Sequence, residues 1–403
     1  MERRRLRCFE TDRGRKIYRL PLEVFPGMFG HAYLVCGGAV PVLVDCGSGQ
    51  PASNRDLAAA FDQVREEHGE SCTLADVGQL LITHGHIDHF GGLSFVRRHT
   101  AAPISIHVLD RRVLASWEER VVVLSKRVTR FLEAAGVRAD RRAQYLAMYL
   151  STKRLFESLE PDVTFSEGEL LGGEIEAIHV PGHCPGQVCL RIDDVLLTAD
   201  HVLERISPHV WPEALTLSTG IGHYLDSLAK VSAVPGIRLG LGGHQGAIED
   251  VAGRAAEIRA LIDGRFADVL ELCAEPRRVT DVSRAIFGEV KSYHVLLALL
   301  ESGALIEYLH QRGELVVANV GELESEPNPA LLFRRAWARG RCGRGRGVLG
   351  RGRLQGGGPV PSPVAGEGQG EGLTPPGRRA AGWASRYRDR GRRRGWRCRR
   401  RRP

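Results

Sequence analysis

At 403 residues the chain is long enough for two or three domains and a sizeable buried core. Its formal charge of +8 is unevenly spread: residues 331–403 hold 21 Arg against three acids, which leaves 35 basic and 45 acidic groups in residues 1–330, a body of −10. Nine cysteines without a CxxC pair speak against a thiolate zinc module and a disulfide framework, and suit a reducing, cytoplasmic setting. No apolar run approaches the ~20 residues of a membrane span. The basic start (Arg3, Arg4, Arg5, Arg7) leads into no apolar stretch, so no secretory signal is expected.

Three short strands are expected first: Ile17–Leu20, then His31–Cys36 after a Pro26-Gly27 turn, then Val40–Asp45 across a Gly37-Gly38 hairpin. A helix follows from Ser53, read as its N-cap, through Arg65. The apolar run Val77–Ile82 reads as a buried strand, and Gly91-Gly92 opens a helix that reaches about His99. Between them lies Thr83-His84-Gly85-His86-Ile87-Asp88-His89, at the carboxyl end of a strand, where open α/β sheets place their ligands. Side chains 84 and 86 of an extended segment point the same way, so two imidazoles can hold one ion. Asp88 and His89, just past the turn, can reach a second ion beside it. A histidine-rich surface loop is the bland alternative, and the order of residue types speaks against it.

Ile104–Leu109 is the next strand. Residues 111–160 then show helical spacing in Leu114, Trp117, Val121, Leu124, Val128, Phe131 and Leu132, and again in Tyr145, Met148, Tyr149, Leu155 and Phe156. Two long helices are more than a crossover needs. Trp117, Tyr145, Met148 and Tyr149 would wall the metal loop as a lid; a packing element or homodimer face is the other reading. Strands resume at Val163–Phe165, Glu174–His179, Gln187–Ile192 and Val195–Thr198, with a tight turn at Asp193-Asp194, and continue at Val231–Val234 and Ile237–Leu241. A long helix is expected over Glu249–Cys273, a short one over Thr280–Phe287 with an N-cap at its start, and another over Tyr293–Glu301, ended by Gly303. Leu305–Tyr308 and Glu314–Ala318 would form a hairpin about Arg312-Gly313. Over residues 323–403 Gly, Pro and Arg dominate and apolar periodicity disappears, so a disordered tail is expected. Its arginines, with Trp383, Tyr387 and Trp396 to stack, could bind nucleic acid; an idle extension is the alternative.

The motif His84-Xaa-His86-Xaa-Asp88-His89 resembles the signature of the metallo-β-lactamase superfamily. His183 stands in Val180-Pro181-Gly182-His183-Cys184-Pro185-Gly186, similar to that family's HxPGHSPG loop, with Cys184 in the usual Ser or Thr place. Asp200 closes Leu196-Leu197-Thr198-Ala199-Asp200 like its bridging aspartate. His244 in Gly242-Gly243-His244-Gln245-Gly246 resembles its last histidine, and Asp45 an acid behind the ligands. The resemblance covers roughly the first 250 residues. It implies an α/β (α+β) fold, a four-layer αββα sandwich over residues 1–262 with the helical insert 111–160. Residues 263–322, helix, helix and hairpin, are similar to the winged-helix module appended to some lactamase-like hydrolases. Only Lys291 and His294 would be offered to a nucleic-acid groove there, so packing or oligomerisation is the expected role.

The resemblance implies two divalent ions: His84, His86 and His183 on the first, Asp88, His89 and His244 on the second, and Asp200 between them. Imidazole and carboxylate donors favour Zn²⁺, with Mn²⁺ or Fe²⁺ as alternatives. The oxygen-reducing di-iron branch is a poorer match, because it typically has an acid where this chain has His86. Paired ions lower the pKa of a shared water from ~15.7 to around 7, and Asp88 would accept or steer its proton as the catalytic acid–base group. The expected activity is hydrolysis of a small ester, thioester or lactone. An endoribonuclease-type phosphodiesterase is the alternative enzyme, disfavoured by the acidic body. A nucleic-acid-binding protein working through its Arg/Gly tail is the alternative outside enzymes. His201 is expected to point away from the ligands, Cys184 to be a small buried residue, and His179 to pack in its strand.

Overall fold

Alternation of apolar residues with period two lays down the first sheet. The computed structural model describes residues 5–336 apart from 152, 154 and 155. It opens with β1 (Arg7–Glu10), β2 (Lys16–Phe25), β3 (Met28–Cys36) and β4 (Val42–Val44), followed by β5 (Gln79–Ile82), β6 (Ile104–His107) and β7 (Val163–Phe165). These seven strands lie side by side in chain order. The first four pair antiparallel, and β4 to β7 pair parallel. Parallel neighbours need a long crossover, and helices supply it. They are α1 (Pro51–His68) before β5, α2 (Ile87–Phe90) and α3 (Leu93–Val96) before β6, and α4 (Arg111–Ala115), α5 (Trp117–Ala134) and α6 (Ala139–Ser151) before β7.

The second sheet runs β8 (Leu170–Leu171), β9 (Ile175–His179), β10 (Val188–Ile192), β11 (Val195–Ala199), β12 (Leu239–Gly242) and β13 (Ala247–Ile248), with α7 (Ile221–Ser232) in the parallel crossover from β11 to β12. In β2, Tyr18, Leu20, Leu22 and Val24 face α1, whereas Ile17 faces the other sheet. In β10, Val188, Leu190 and Ile192 meet that face, and Cys189 turns outward. One core therefore lies between the sheets and one under the helices on each outer side, which makes four αββα layers.

α8 (Val251–Leu272), α9 (Val279–Phe287), α10 (Tyr293–Gln311), β14 (Leu315–Val317), α11 (Val320–Ser325) and β15 (Phe333–Arg335) complete the described chain. They join the core on the second sheet's outer side, where Arg265 of α8 pairs with Glu301 of α10. No helix among the described residues is long and apolar enough to cross a membrane.

Several expected elements differ. Val231–Val234 is no strand: Tyr224, Leu225, Leu228 and Val231 form the buried stripe of α7. Ser53 is not the cap of α1, which starts at Pro51; its hydroxyl instead accepts the amide of Ser48 at 3.1 Å. α9 is capped two residues earlier than expected, at Arg278, whose amide the Asp281 carboxylate accepts at 3.0 Å. Gly303 does not end its helix, and 305–308 is helical. An added Cβ at Gly303 would lie 2.5 Å from the Phe131 ring of α5, so this glycine permits close packing instead of stopping the chain. The hairpin strand Leu315–Val317 consequently pairs with Phe333–Arg335. Those last residues fall inside the stretch expected to be a disordered tail, yet Phe333 is buried and exchanges both backbone hydrogen bonds with Arg277, at 2.8 and 2.9 Å. The Arg/Gly-rich remainder from 337 lies outside the described residues.

Candidate metal centre

The loop after β5 is held from behind by two carboxylates. Asp45, just past β4 at φ 59°, accepts the Thr83 amide at 2.9 Å, the Thr83 hydroxyl at 2.8 Å and Nδ1 of His89 at 2.8 Å. Asp110 accepts the Gly85 amide at 2.8 Å. A side chain at Gly85 would meet Val113 at 2.9 Å, so glycine lets the loop press against α4 between its two histidines.

All seven residues singled out from the sequence converge. The His84 and His86 rings lie 4.9 Å apart, and His183 is 5.2 Å from the first and 4.4 Å from the second. Asp88 Oδ2 is 3.5 Å from His244 Nε2 and 4.0 Å from His89 Nε2. Asp200 faces both groups: Oδ1 is 3.5 Å from His89 Nε2, and Oδ2 is 3.4 Å from His244 Nε2 and 3.9 Å from His183 Nε2. Their donor atoms form three overlapping sets: His84, His86, His183 with Cys184; His84, His89 with Asp200; and Asp88, His89 with His244. Within each set the donor atoms lie within 4.8 Å of one another.

The imidazoles are oriented for ligation. His183 Nδ1 bonds the His209 carbonyl and His244 Nδ1 the Phe29 carbonyl, each at 2.7 Å. A carbonyl only accepts, so both Nδ1 atoms carry hydrogen, and in the neutral ring, the form a metal ion binds, Nε2 is the atom that presents a lone pair. Nε2 of His84, His89, His183 and His244 and Oδ1 of Asp200 are buried without a hydrogen-bond partner among the described residues. Five such atoms in one place would be costly unless a cation completes them. The residues therefore fit divalent metal.

Electrostatics point the same way. Burial, together with neighbouring imidazoles, holds His84 and His86 well below the usual histidine range, and burial lowers His183. Burial would also lower His244 and His89, but Asp200 overrides it, with Asp88 at the first and Asp45 at the second. His244 is pushed up to about 10, and His89 is raised well above its ordinary value. Burial would raise Asp88 and Asp200, yet the facing histidines hold both below the usual carboxylate range. Ionised carboxylates thus draw positive charge to this spot, from protonated imidazole or from a metal ion.

The other expectations sort out individually. Cys184 is buried, and its thiol belongs to the first donor set, while burial keeps its pKa well above normal. His179 packs as expected, stacked on His107 at 4.0 Å with Nε2 bonded to the Pro185 carbonyl at 2.8 Å. His201 is buried against Tyr224, 4.3 Å away, and enters none of the donor sets. Trp117 and Tyr149 of the insert line a pocket with His86 and His183, joined by Arg120, Val121, Leu124, Lys153 and Trp211. Tyr145 packs into the core instead, and neither it nor Met148 is among the lining residues. Asp110, His209 and Lys153 were missed. They act through contacts made across the fold, and no local spacing marks them.

Fold and site define the class: an αββα sandwich that gathers a cluster of residues able to hold divalent metal. Residues 26–250 match the sequence profile of the metallo-beta-lactamase superfamily, and the chain belongs to that family. Among curated proteins it is 24% identical over 249 residues to the lactamase-like protein aptB of Emericella nidulans, covering 61% of each chain. It is 26% identical over 133 residues to an uncharacterized protein of Mycobacterium tuberculosis, covering 31% of this chain and 51% of that one. The chain thus spans about half to three-fifths of the length of these relatives. Among solved structures, a metallo-beta-lactamase family protein of Thermus thermophilus superposes with TM-score 0.65 at 24% identity, covering 79% of this chain and 98% of that one. A beta-lactamase domain protein of Burkholderia ambifaria gives TM-score 0.61 at 23% identity, covering 82% and 93%. Both shares of this chain exceed what residues 1–250 alone could supply, so the shared fold extends into the C-terminal helices.

Proposed function

We propose that this protein hydrolyses a small ester, thioester or lactone at a two-ion centre, with zinc the preferred metal. His84, His86 and His183 would hold the first ion, Asp88, His89 and His244 the second, and Asp200 would serve both. The inward-facing Nε2 atoms, fixed from behind by their Nδ1 bonds, carry this reading. When bound, such ions supply Lewis acidity and a water of lowered pKa. Asp88 stays ionised, and Oδ2 is the atom that takes or steers the nucleophile's proton. Trp117 and Tyr149 shield the site from bulk water and shape the acyl pocket.

Residues 263–322 fit a packing module better than a nucleic-acid reader, even if winged-helix in ancestry. Twelve of the nineteen residues of α10 are buried, so that helix has little surface to lay in a groove. An acidic body argues against a phosphodiester backbone as substrate.

Metal analysis of protein purified without chelator is expected to give close to two ions per chain. In a panel of thioesters, lactones and single-stranded RNA with added Zn²⁺ or Mn²⁺, turnover should favour the acyl compounds, and His84→Ala should abolish it while the fold persists. No bound transition metal and no gain on adding it would sink the hydrolase reading. RNA cleavage without ester cleavage would replace it with the phosphodiesterase.

A further inference from the structure

The pocket beside His86 and His183 holds charge that the hydrolytic machinery does not use. Fourteen residues line it, and they include two cations, Arg120 and Lys153, and no acid. In a body that carries a net negative charge this is a local reversal, and a low-dielectric cleft focuses such a field. Neither side chain has an ion-pair partner among the described residues. Lys153 Nζ instead rests over aromatic faces, 6.0 Å from Trp117 and 5.5 Å from Tyr149. The Lys153 carbonyl accepts the Trp117 indole N–H at 2.8 Å, which ties its backbone to the pocket wall. A third donor, the Trp211 indole N–H, lines the same pocket and is buried without an acceptor among the described residues. Two half-exposed cations and a buried N–H thus line one pocket with no carboxylate among its lining residues, a set of donors that an anionic ligand would complete.

We propose that Lys153 and Arg120 form an anion site beside the metal centre, so that the preferred substrate is an acyl compound carrying a carboxylate or phosphate group near the bond that is cut. Val121, Leu124, Trp117 and Tyr149 take the apolar part of such a molecule. The pocket is a narrow slot of about 40 Å³. Burial lowers the Lys153 ammonium, with Asp88 opposing the fall and Arg120 adding to it.

The inference rests on the hydrolase reading, but its test does not depend on turnover alone. Thioesters of one chain length, ending in a carboxylate, a phosphate monoester or a methyl group, are compared on metal-loaded protein. The wild type should favour an anionic end by roughly 10- to 100-fold in kcat/KM, the worth of one charge-assisted hydrogen bond. Lys153→Met and Arg120→Gln should bring that ratio towards parity, and Lys153→Arg should restore it. Whichever anionic arm is faster identifies the headgroup. A wild type without preference, or a Lys153→Met protein that loses charged and neutral substrates equally, overturns the anion site and leaves the hydrolase standing. If no ester is cleaved, calorimetric titration of metal-loaded protein with glutarate still decides. Affinity lowered about tenfold or more in Lys153→Met supports the site, and equal affinity overturns it.

Discussion

Asp45 never faces the proposed ions, yet three hydrogen bonds make it the residue on which the loop is hung. Asn in its place keeps the shape but cannot accept from Thr83 and His89 with both oxygens. Asp45→Asn is therefore expected to weaken metal binding roughly 10- to 100-fold with little loss of fold, read by competition with a chromogenic chelator. Unchanged affinity would mean that the His89 ring is held by packing alone. Lys153 offers a pH test. Burial lowers its pKa to about 8, with Asp88 acting in the opposite direction and Arg120 adding to the fall. The ammonium is charged below that value and neutral above it, so affinity for an anionic inhibitor should be full near neutrality and fall as pH rises through about 8. Lys153→Arg, charged throughout, should flatten the curve; a wild type flat to pH 9 would exclude Lys153 as the binding cation. The seven ligand candidates were legible because each stands at a sharp strand-end motif whose residue types match a metal's demands. Lys153 and Asp110 were not: Asp110 acts on the Gly85 amide 25 residues away, and Lys153 meets Trp117 of α5 beside its near neighbour Tyr149, contacts that no motif marks.

At the scale of elements, long amphipathic runs declared themselves and short pieces did not. α1, α5 and α8 were readable from periodicity, whereas β1, β8 and β13, two to four residues each, exist because a neighbouring strand pairs with them. Gly303 shows how a local signal misleads. Glycine normally marks a stop, but here its missing Cβ admits the Phe131 ring. Gly303→Ala should therefore destabilise: overpacking of about 1–3 kcal/mol outweighs the roughly 1 kcal/mol of helix propensity gained. Urea titration gives the sign, and an upward midpoint shift would show that α10 and α5 have room to spare. The insert was read as lid or packing element, and Tyr149 has both properties, buried at 2% exposure while lining the pocket. Tyr149→Ala should lower stability by about 3–5 kcal/mol, as for other large aromatic truncations, and raise KM with metal content unchanged. Lost stability with an unaltered KM, or a changed solution mass, would make the insert an interface.

Across the whole molecule, charge and fold are divided. Residues 337–403 hold 19 of the 56 basic groups and three of the 48 acids, so residues 1–336 carry 37 basic against 45 acidic groups, a net of −8. Every described element, every metal-ligand candidate and both pocket cations lie in that acidic part. A chain ended at Ala336 keeps the β14–β15 pair, whereas ending it at 322 would remove β15 and expose Leu315. The shorter cut is therefore expected to lower the thermal midpoint, and the cut after 336 to leave midpoint, metal content and thioester turnover at full-length values. Removal of the basic segment should move the isoelectric point from about 9.2 to the acidic side, which isoelectric focusing reads directly. The two cuts also separate the functional readings. Single-stranded RNA retained by the full chain and released by the 1–336 protein, with hydrolysis intact, would assign nucleic-acid binding to the Arg/Gly segment and catalysis to the sandwich. Turnover on small substrates lost with the 337–403 cut would mean instead that part of the working site lies in that segment, and the sandwich alone would no longer account for the enzyme.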